Sequence, residues 1–334
     1  MNIFMECLLS PVQIVCYSVV TIQSPNAISR ILFGMNFSSL HKLHRFRYFR
    51  LILSGAMFFA ASCLAEETKS SPVVYQRITR NDPAMSIHVI TINLHDSQVT
   101  PRVSRGGPDP DGEGPWTTTL QPVSEIAERE KLDIAINGDF FTALATKDIE
   151  GHNTGYTRGK FATPEGLAMT DGRIWHRTSA QRPFLAFSTN RNAAIEAGTE
   201  ANSTNFAYSQ IIGGGQIIVS DGNTIEFTSK FATNRHPRTV VGIDRSKTKL
   251  TLLVVDGRQP KLSVGMTLHE LSQEMIRLGC DSAINLDGGG SSTLVYRDPE
   301  THRLKVLNSP SDQKERSVAD ILGFTVNAPM PTAN

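Results

Sequence analysis

The chain is poor in cysteine, and what it has is unevenly spread. Of four cysteines, Cys7, Cys16 and Cys63 fall within the first 63 residues and only Cys280 follows. An internal disulfide in the region after residue 65 is therefore excluded. A lone cysteine closing a helical pattern reads as a small buried apolar side chain. An excess of one charge is also lacking. Lys and Arg number 33 against 32 Asp and Glu, a formal net charge of +1. That balance gives no reason to expect a nucleic-acid partner, so recognition must rest on local charge. Several chemistries have no signature. There is no Cys pair or His-x-x-x-His spacing for zinc, no Gly-x-Ser-x-Gly elbow, and no Gly-Lys-Ser/Thr after a glycine run. No acidic stretch has EF-hand spacing. The sequence thus predicts neither a metal nor a cofactor.

What is present begins with a leader. Residues 41–50, "HKLHRFRYFR", are basic, and 51–65, "LILSGAMFFAASCLA", are apolar and then small. This is the order of a secretory signal, which would be cleaved after Ala65. Fifteen apolar residues are few for a membrane span, so export is expected, with no stable span after signal removal. Lipidation at Cys63 is a minor alternative. Residues 1–34 read as an over-extended start ahead of Met35, or as a long leader whose apolar stretch 3–22 is interrupted by Pro11. The plan is a leader over 1–65, a segment with a first strand over 66–99, and a principal domain over 100–328.

Beyond the leader, apolar residues alternate. Residues 85–94 read as a strand, and 165–176 and 215–227 each set Asp-Gly between alternating runs, a hairpin signal. Residues 182–196 and 238–257 read as two more hairpins, and the strand ending at 255 has no polar face, which predicts a central position. Long loops are expected over 105–115 and 142–164. Helices are predicted over 120–131 and 267–278, the second opened by a Thr267/Glu270 capping box and closed by Gly279. The fold class is α+β: a mixed, hairpin-rich β-sheet with a few packed helices.

An internal repeat underlies this pattern. Shifted by 148 residues, 119–139 aligns without a gap on 267–287, with nine of 21 positions identical, among them Asn137/Asn285 and Asp139/Asp287. Ordinary composition gives about one such match. Each copy is helix, turn, strand, then Asn-x-Asp. The repeat predicts a pseudo-twofold that brings both Asn-x-Asp ends to one cleft.

Candidate chemistry gathers at these ends. In "NGDFF", Asn137, Gly138 and Asp139 precede Phe140, and an aromatic ring beside a carboxylate suits the C–H face of a sugar. In "NLDGGGSST", Asn285 and Asp287 precede Gly288, Gly289, Gly290, Ser291 and Ser292, whose amides and hydroxyls suit an anion. Gly214 lies in a second glycine run. Arg238, Arg258 and Arg316 border apolar strand ends, where guanidinium forks can clamp a phosphate.

These pieces resemble the phosphodiester glycosidase family. "SAINLDGGGSST", preceded by "LHELSQEMIRLG", is the most specific; "NGDFF", "GGGQIIV", "RTVVGID", "VVDGRQ" and "RSVADILGF" follow the family's order. The resemblance covers roughly 100–326. It implies an α+β fold with its site at strand ends, and hydrolysis of a sugar-1-phosphodiester at the glycosidic C–O bond. The substrate would be a sugar phosphodiester, such as one in a cell-envelope or extracellular polysaccharide. On this reading Asp287 is the leading carboxylate, with Asp256 or Asp139 as its partner. Arg238, with Arg316 or Arg258, holds the phosphate, assisted by the amides after Asp287. Asn137 and Asn285 hold sugar hydroxyls or fix the loops.

Overall fold

The computed structural model describes residues 71–147, 150–151, 154–198, 208–328 and 331, together with the strands Asn2–Ser10, Gln13–Ser24 and Ala27–Asn36. The chain divides into two units, Met1–Lys69 and Ser70–Asn334. In the first, the three strands form one antiparallel sheet. The expected leader, with its basic and apolar parts at 41–65, lies outside the described residues. No helix among the described residues is long and apolar enough to cross a membrane.

The second unit is built of sheets. Its largest has seven strands, in the order Asn223–Thr224, Gln216–Ser220, Ser282–Asn285, Arg238–Ile243, Lys249–Val255, Ala84–Asn93 and Val73–Asn81. The apolar strand Lys249–Val255 is central, as its lack of a polar face predicts. A five-stranded sheet runs Leu304–Val306, Leu294–Arg297, Ile134–Asn137, Asp320–Val326 and Val99–Arg105. A second five-stranded sheet contains Ala168–Thr170, Phe184–Ser188 and Tyr208–Gly213. The four expected hairpins form; Asp171 and Gly172 (φ 49° and 75°) and Asp221 and Gly222 (φ 51° and 73°) turn two of them in the left-handed region. The ends of the 142–164 loop are paired, Phe141–Ala143 against Phe161–Pro164.

One expectation is corrected. The sheets are not mixed, because every strand pair among the described residues is antiparallel. Helical crossovers suggest parallel neighbours, but each crossover here spans an intervening strand. Lys249–Val255 leads through helix Leu268–Arg277 to Ser282–Asn285, and Arg238–Ile243 lies between them, antiparallel to both. Val99–Arg105 leads through helix Val123–Arg129 to Ile134–Asn137, with Asp320–Val326 between.

Alternation then sorts the side chains into layers. Ile284, Val241, Leu252 and Val254 of the large sheet meet Ile134, Ile136, Leu322 and Phe324 of the five-stranded sheet in one central core. Their neighbours point outward, under a helix on each side. Val240, Leu253 and Ala283 pack on Leu268, Leu271 and Met275; Ala135 and Ile321 pack on Val123, Ile126 and Ala127. The order is helix, sheet, sheet, helix. The capping box forms as expected, Thr267 Oγ1 accepting from the Glu270 amide at 3.1 Å and Glu270 Oε2 from the Thr267 amide at 3.0 Å.

Candidate active site

Each AIN strand ends at the same edge of its layer, and the two ends touch. The Asp287 amide donates to the Gly138 carbonyl at 3.0 Å, and Asn137 Nδ2 donates to the Asp287 carbonyl at 2.7 Å. Asn137 Oδ1 accepts from Thr239 Oγ1 at 2.8 Å and from the Thr293 amide at 3.2 Å. Asn137 thus uses both acceptor sites and one donor, and acts as a staple between layers. Asn285 differs: its Nδ2 donates to Gln216 Oε1 at 3.2 Å, while its buried Oδ1 has no partner. Of the two roles expected for these amides, the geometry suits Asn137 to fixing the loops and leaves Asn285 an open acceptor.

The triple glycine has a specific cause. Gly289 has φ +62°, and a side chain there would meet the Arg258 guanidinium at 2.9 Å. At Gly290 a Cβ would stand 2.0 Å from Arg316 Nη2 and 2.3 Å from Asp312 Oδ2. The glycines let two guanidinium groups lie flat on the backbone. The expected cradle of amides is corrected here, because the Gly288 amide is turned to its neighbour's Asp287 Oδ1 at 2.8 Å and the Gly289 amide to the Pro237 carbonyl at 2.9 Å. The groups at this loop left free to meet an anion are therefore mainly the arginines. Gly290→Ala is expected to displace Arg316 and weaken inorganic phosphate binding roughly tenfold, about one charge-assisted hydrogen bond of ~1.5 kcal/mol, as read by titration calorimetry.

Arg238 completes this set and is the most unusual side chain in the protein. It is wholly buried. Its Nε donates to the Met266 carbonyl at 3.1 Å, and its Nη2 to the carbonyls of Phe231 and Asn234 at 2.6 and 3.0 Å. Phe231 lies under the guanidinium at 4.5 Å. Nη1 has no partner, and no carboxylate neutralises the charge among the described residues. Burial, then repulsion from Arg258, brings its pKa down to about 10. Burial and the same two arginines hold His236 below its usual value. Arg316 is less free, since Nε and Nη2 donate to Asp312 Oδ2 at 3.0 and 2.8 Å and its guanidinium stacks on Tyr156 at 4.7 Å.

Three carboxylates, Asp287, Asp139 and Asp320, gather at the two strand ends. Asp287 is partly exposed; burial pushes it up to about 6, against the Ser291 hydroxyl, the Gly288 amide and Arg316, which favour the ion. The Ser291 hydroxyl lies near that carboxylate without forming a well-aligned hydrogen bond, and the hydroxyls of Ser292 and Thr293 are likewise buried and open. Asp139 is buried between glycine backbones. It accepts from the Phe140 amide at 2.8 Å and the Gly166 amide at 2.5 Å, with Arg182 Nη2 at 3.8 Å, and burial still raises it to about 7. Asp320 is the acid that sequence reasoning misses. Its Oδ1 accepts from the Asp139 amide at 2.8 Å, its buried Oδ2 is unpartnered, and burial beside Asp139 and Asp287 raises it well above the carboxylate range. A side chain at Gly138 would meet Asp320 Oδ1 at 2.3 Å, and one at Gly214 would meet Ile284 at 2.6 Å. The signal for Asp320 is an acid inside the apolar run "VADILGF".

Asp256 is placed differently. Its Oδ1 accepts from the Ser309 amide at 2.7 Å and Asn308 Nδ2 at 3.2 Å, and its Oδ2 lies 3.5 Å from His88 Nε2. That carboxylate anchors the turn carrying Arg258. Phe140 lies edge-on to Phe231 at 6.0 Å, which stacks against His236 at 6.4 Å. Phe141 instead packs with the core, so the aromatic pair divides into one site ring and one core ring. Among the described residues, no group of three or more His, Cys, Asp or Glu side chains is arranged to hold a metal.

The phosphodiester glycosidase family matches residues 130–325. The SPbeta prophage-derived uncharacterized protein YomE of Bacillus subtilis (strain 168) is 38% identical over 88 residues, 26% of this chain and 12% of YomE. Human N-acetylglucosamine-1-phosphodiester alpha-N-acetylglucosaminidase is 27% identical over 192 residues, 52% of this chain and 33% of that protein. The chain thus spans a third or less of the length of these curated relatives. The catalytic domain of the zebrafish N-acetylglucosamine-1-phosphodiester alpha-N-acetylglucosaminidase, solved as auto-inhibited by its pro-peptide, has the same fold, with a TM-score of 0.53 at 20% identity over 76% of this chain and 84% of that one.

Proposed function

Because the chain belongs to the phosphodiester glycosidase family, we propose that it hydrolyses the glycosidic C–O bond of a sugar-1-phosphodiester, releasing free sugar and a phosphomonoester. The observation that carries this reading is Arg238, a buried cation with an open Nη1 and no acidic partner among the described residues, set beside Arg258, whose guanidinium lies against Gly289, two residues after Asp287. A phosphate binder alone gains nothing from three acids near its anion. A glycosidase acting on a phosphodiester uses both groups.

Arg238, Arg258 and Arg316 hold the phosphate, which leaves with the electron pair of the broken C–O bond and needs little protonation. Asp287 stands at the anomeric centre and takes the proton of the incoming water, whose oxygen bonds to that carbon. Asp139 is the partner carboxylate, backed by Asp320, whose own carboxyl is pushed towards the neutral form by burial beside Asp139 and Asp287. Asn285 Oδ1 accepts from a sugar hydroxyl, and Phe140 and Phe231 offer rings to a sugar face. The two Asn-x-Asp strand ends then read as halves of a pseudo-twofold, one specialised by its glycines and the other by its staple. Export fits this role and is supported by the order of residues 41–65.

Hydrolysis of a panel of sugar-1-phosphodiesters in oxygen-18 water tests the reading. Label is expected in the free sugar. Label in the phosphate would mean P–O cleavage, and no product from any diester would leave a binding protein.

A further inference from the structure

A cleft of about 750 Å³ lies apart from the glycine loop, and none of the residues given catalytic or binding roles above lines it. One wall carries Trp175, with the Arg105 guanidinium over one face of its ring, 5.1 Å from the centre. The indole N–H donates to Thr170 Oγ1 at 3.1 Å, which fixes the ring's orientation. Opposed charges are interleaved beside it. Arg102 bridges Glu130 and Asp171, each at 2.8 Å. The lining holds three arginines and three acids, so its charge cancels and a simple anion is poorly suited. Ser104 also lines the cleft; the residue is only 3% exposed, and its hydroxyl has no partner. Buried polar groups are normally satisfied, so this hydroxyl keeps hydrogen-bonding capacity for a ligand in the cleft.

A fixed aromatic plate, neutral rows of alternating donors and acceptors, and an open buried hydroxyl together match one ligand chemistry. A sugar offers an apolar C–H face to a ring and adjacent hydroxyls that donate to carboxylates and accept from guanidinium forks. Arg105 pairs across the sheet with Asp320, so the cleft begins one strand from the acid behind the site. Thr170 follows Gly166, which touches Asp139, by four residues, at most roughly 13 Å of extended chain. A short oligosaccharide covers that distance.

We propose that this cleft is a second carbohydrate-binding site, holding neutral sugar units of a glycan chain remote from the bond that is cut. Its link to turnover rests on the phosphodiester glycosidase reading; its capture of sugar does not. The test uses the full chain on an array of neutral bacterial, fungal and plant glycans, with calorimetry on the glycans retained. Capture is expected, weakened at least tenfold by Trp175→Ala and by Arg173→Ala, the second altering an exposed side chain that the fold does not need. For a phosphodiester bearing such a glycan, Arg173→Ala should raise KM about tenfold with kcat unchanged, while a single-sugar diester is cut normally. Absence of capture, or capture indifferent to both substitutions, overturns the proposal. Capture without hydrolysis of any sugar phosphodiester would instead sustain the second site and refute the catalytic reading.

Discussion

Replacing Asp287 by Asn is expected to lower sugar release roughly 10³-fold, within the range for loss of an acid–base group, while the protein stays folded. The substitution keeps the side chain's shape and its acceptor for the Gly288 amide. It removes only the ionisable oxygen. Burial raises the Asp287 carboxyl to about 6, so the wild-type rate should fall as pH drops through about 6, and the residual rate of Asp287→Asn should lack that limb. The stability effect has the opposite sign. A carboxyl whose folded pKa lies above its unfolded value stabilises the fold fully below about pH 4, and that contribution is lost as pH rises through the folded pKa. Asp287 and Asp139, raised to about 6 and about 7, should therefore make melting temperature decline between pH 4 and 7. Asp287→Asn should flatten that decline and leave the protein no less stable at pH 7, whereas Asp139→Asn should flatten it but lower stability throughout, because both Asp139 oxygens accept backbone amides and the new Nδ2 would face one of them. A large fall in melting temperature for Asp287→Asn would assign the residue to structure. Undiminished turnover would remove it from the reaction.

The second large effect belongs to Arg238. An unpaired buried cation costs several kcal/mol in general, and breaking such a site from one side is costly as well. Among the described residues, the charge is eased by three main-chain carbonyls and the Phe231 ring alone. An anion reaching Nη1 would relieve it. Inorganic phosphate should therefore raise the melting temperature, by the equivalent of about 2.7 kcal/mol at a hundredfold excess over its Kd. Arg238→Lys keeps a charge but lacks the fork. It should lose most of that thermal shift and at least roughly a hundredfold in kcat/KM, with some loss of stability from the carbonyls left unpaired, each about 1–3 kcal/mol. A phosphate-dependent shift equal to wild type in Arg238→Lys would exclude Arg238 from the anion site. Because the Arg258 side chain is exposed, Arg258→Ala separates charge from structure: it should weaken phosphate binding without destabilising the protein.

These expectations rest on two kinds of information. The sequence by itself determined the hairpins, since Asp-Gly at 171–172 and 221–222 demands left-handed backbone whatever surrounds it. It determined the capped helix at 267 and the central place of the strand ending at Val255, because capping and alternation are local. The repeat of Asn-x-Asp marked both strand ends that meet. Tertiary structure decided the rest. Whether a crossover yields parallel neighbours depends on which distant strand fills the gap, and here Arg238–Ile243 and Asp320–Val326 do so. The glycines of "LDGGGSS" read as an amide cradle, yet what they make room for is the guanidinium groups of Arg258 and Arg316, supplied by other parts of the chain. Asp256 and Asp287 are the same letter beside similar glycines, but His88, Asn308 and Ser309 close around the first, while the second is partly exposed near Arg316. A residue's partners are set by long-range packing, and its charge and reactivity follow from those partners.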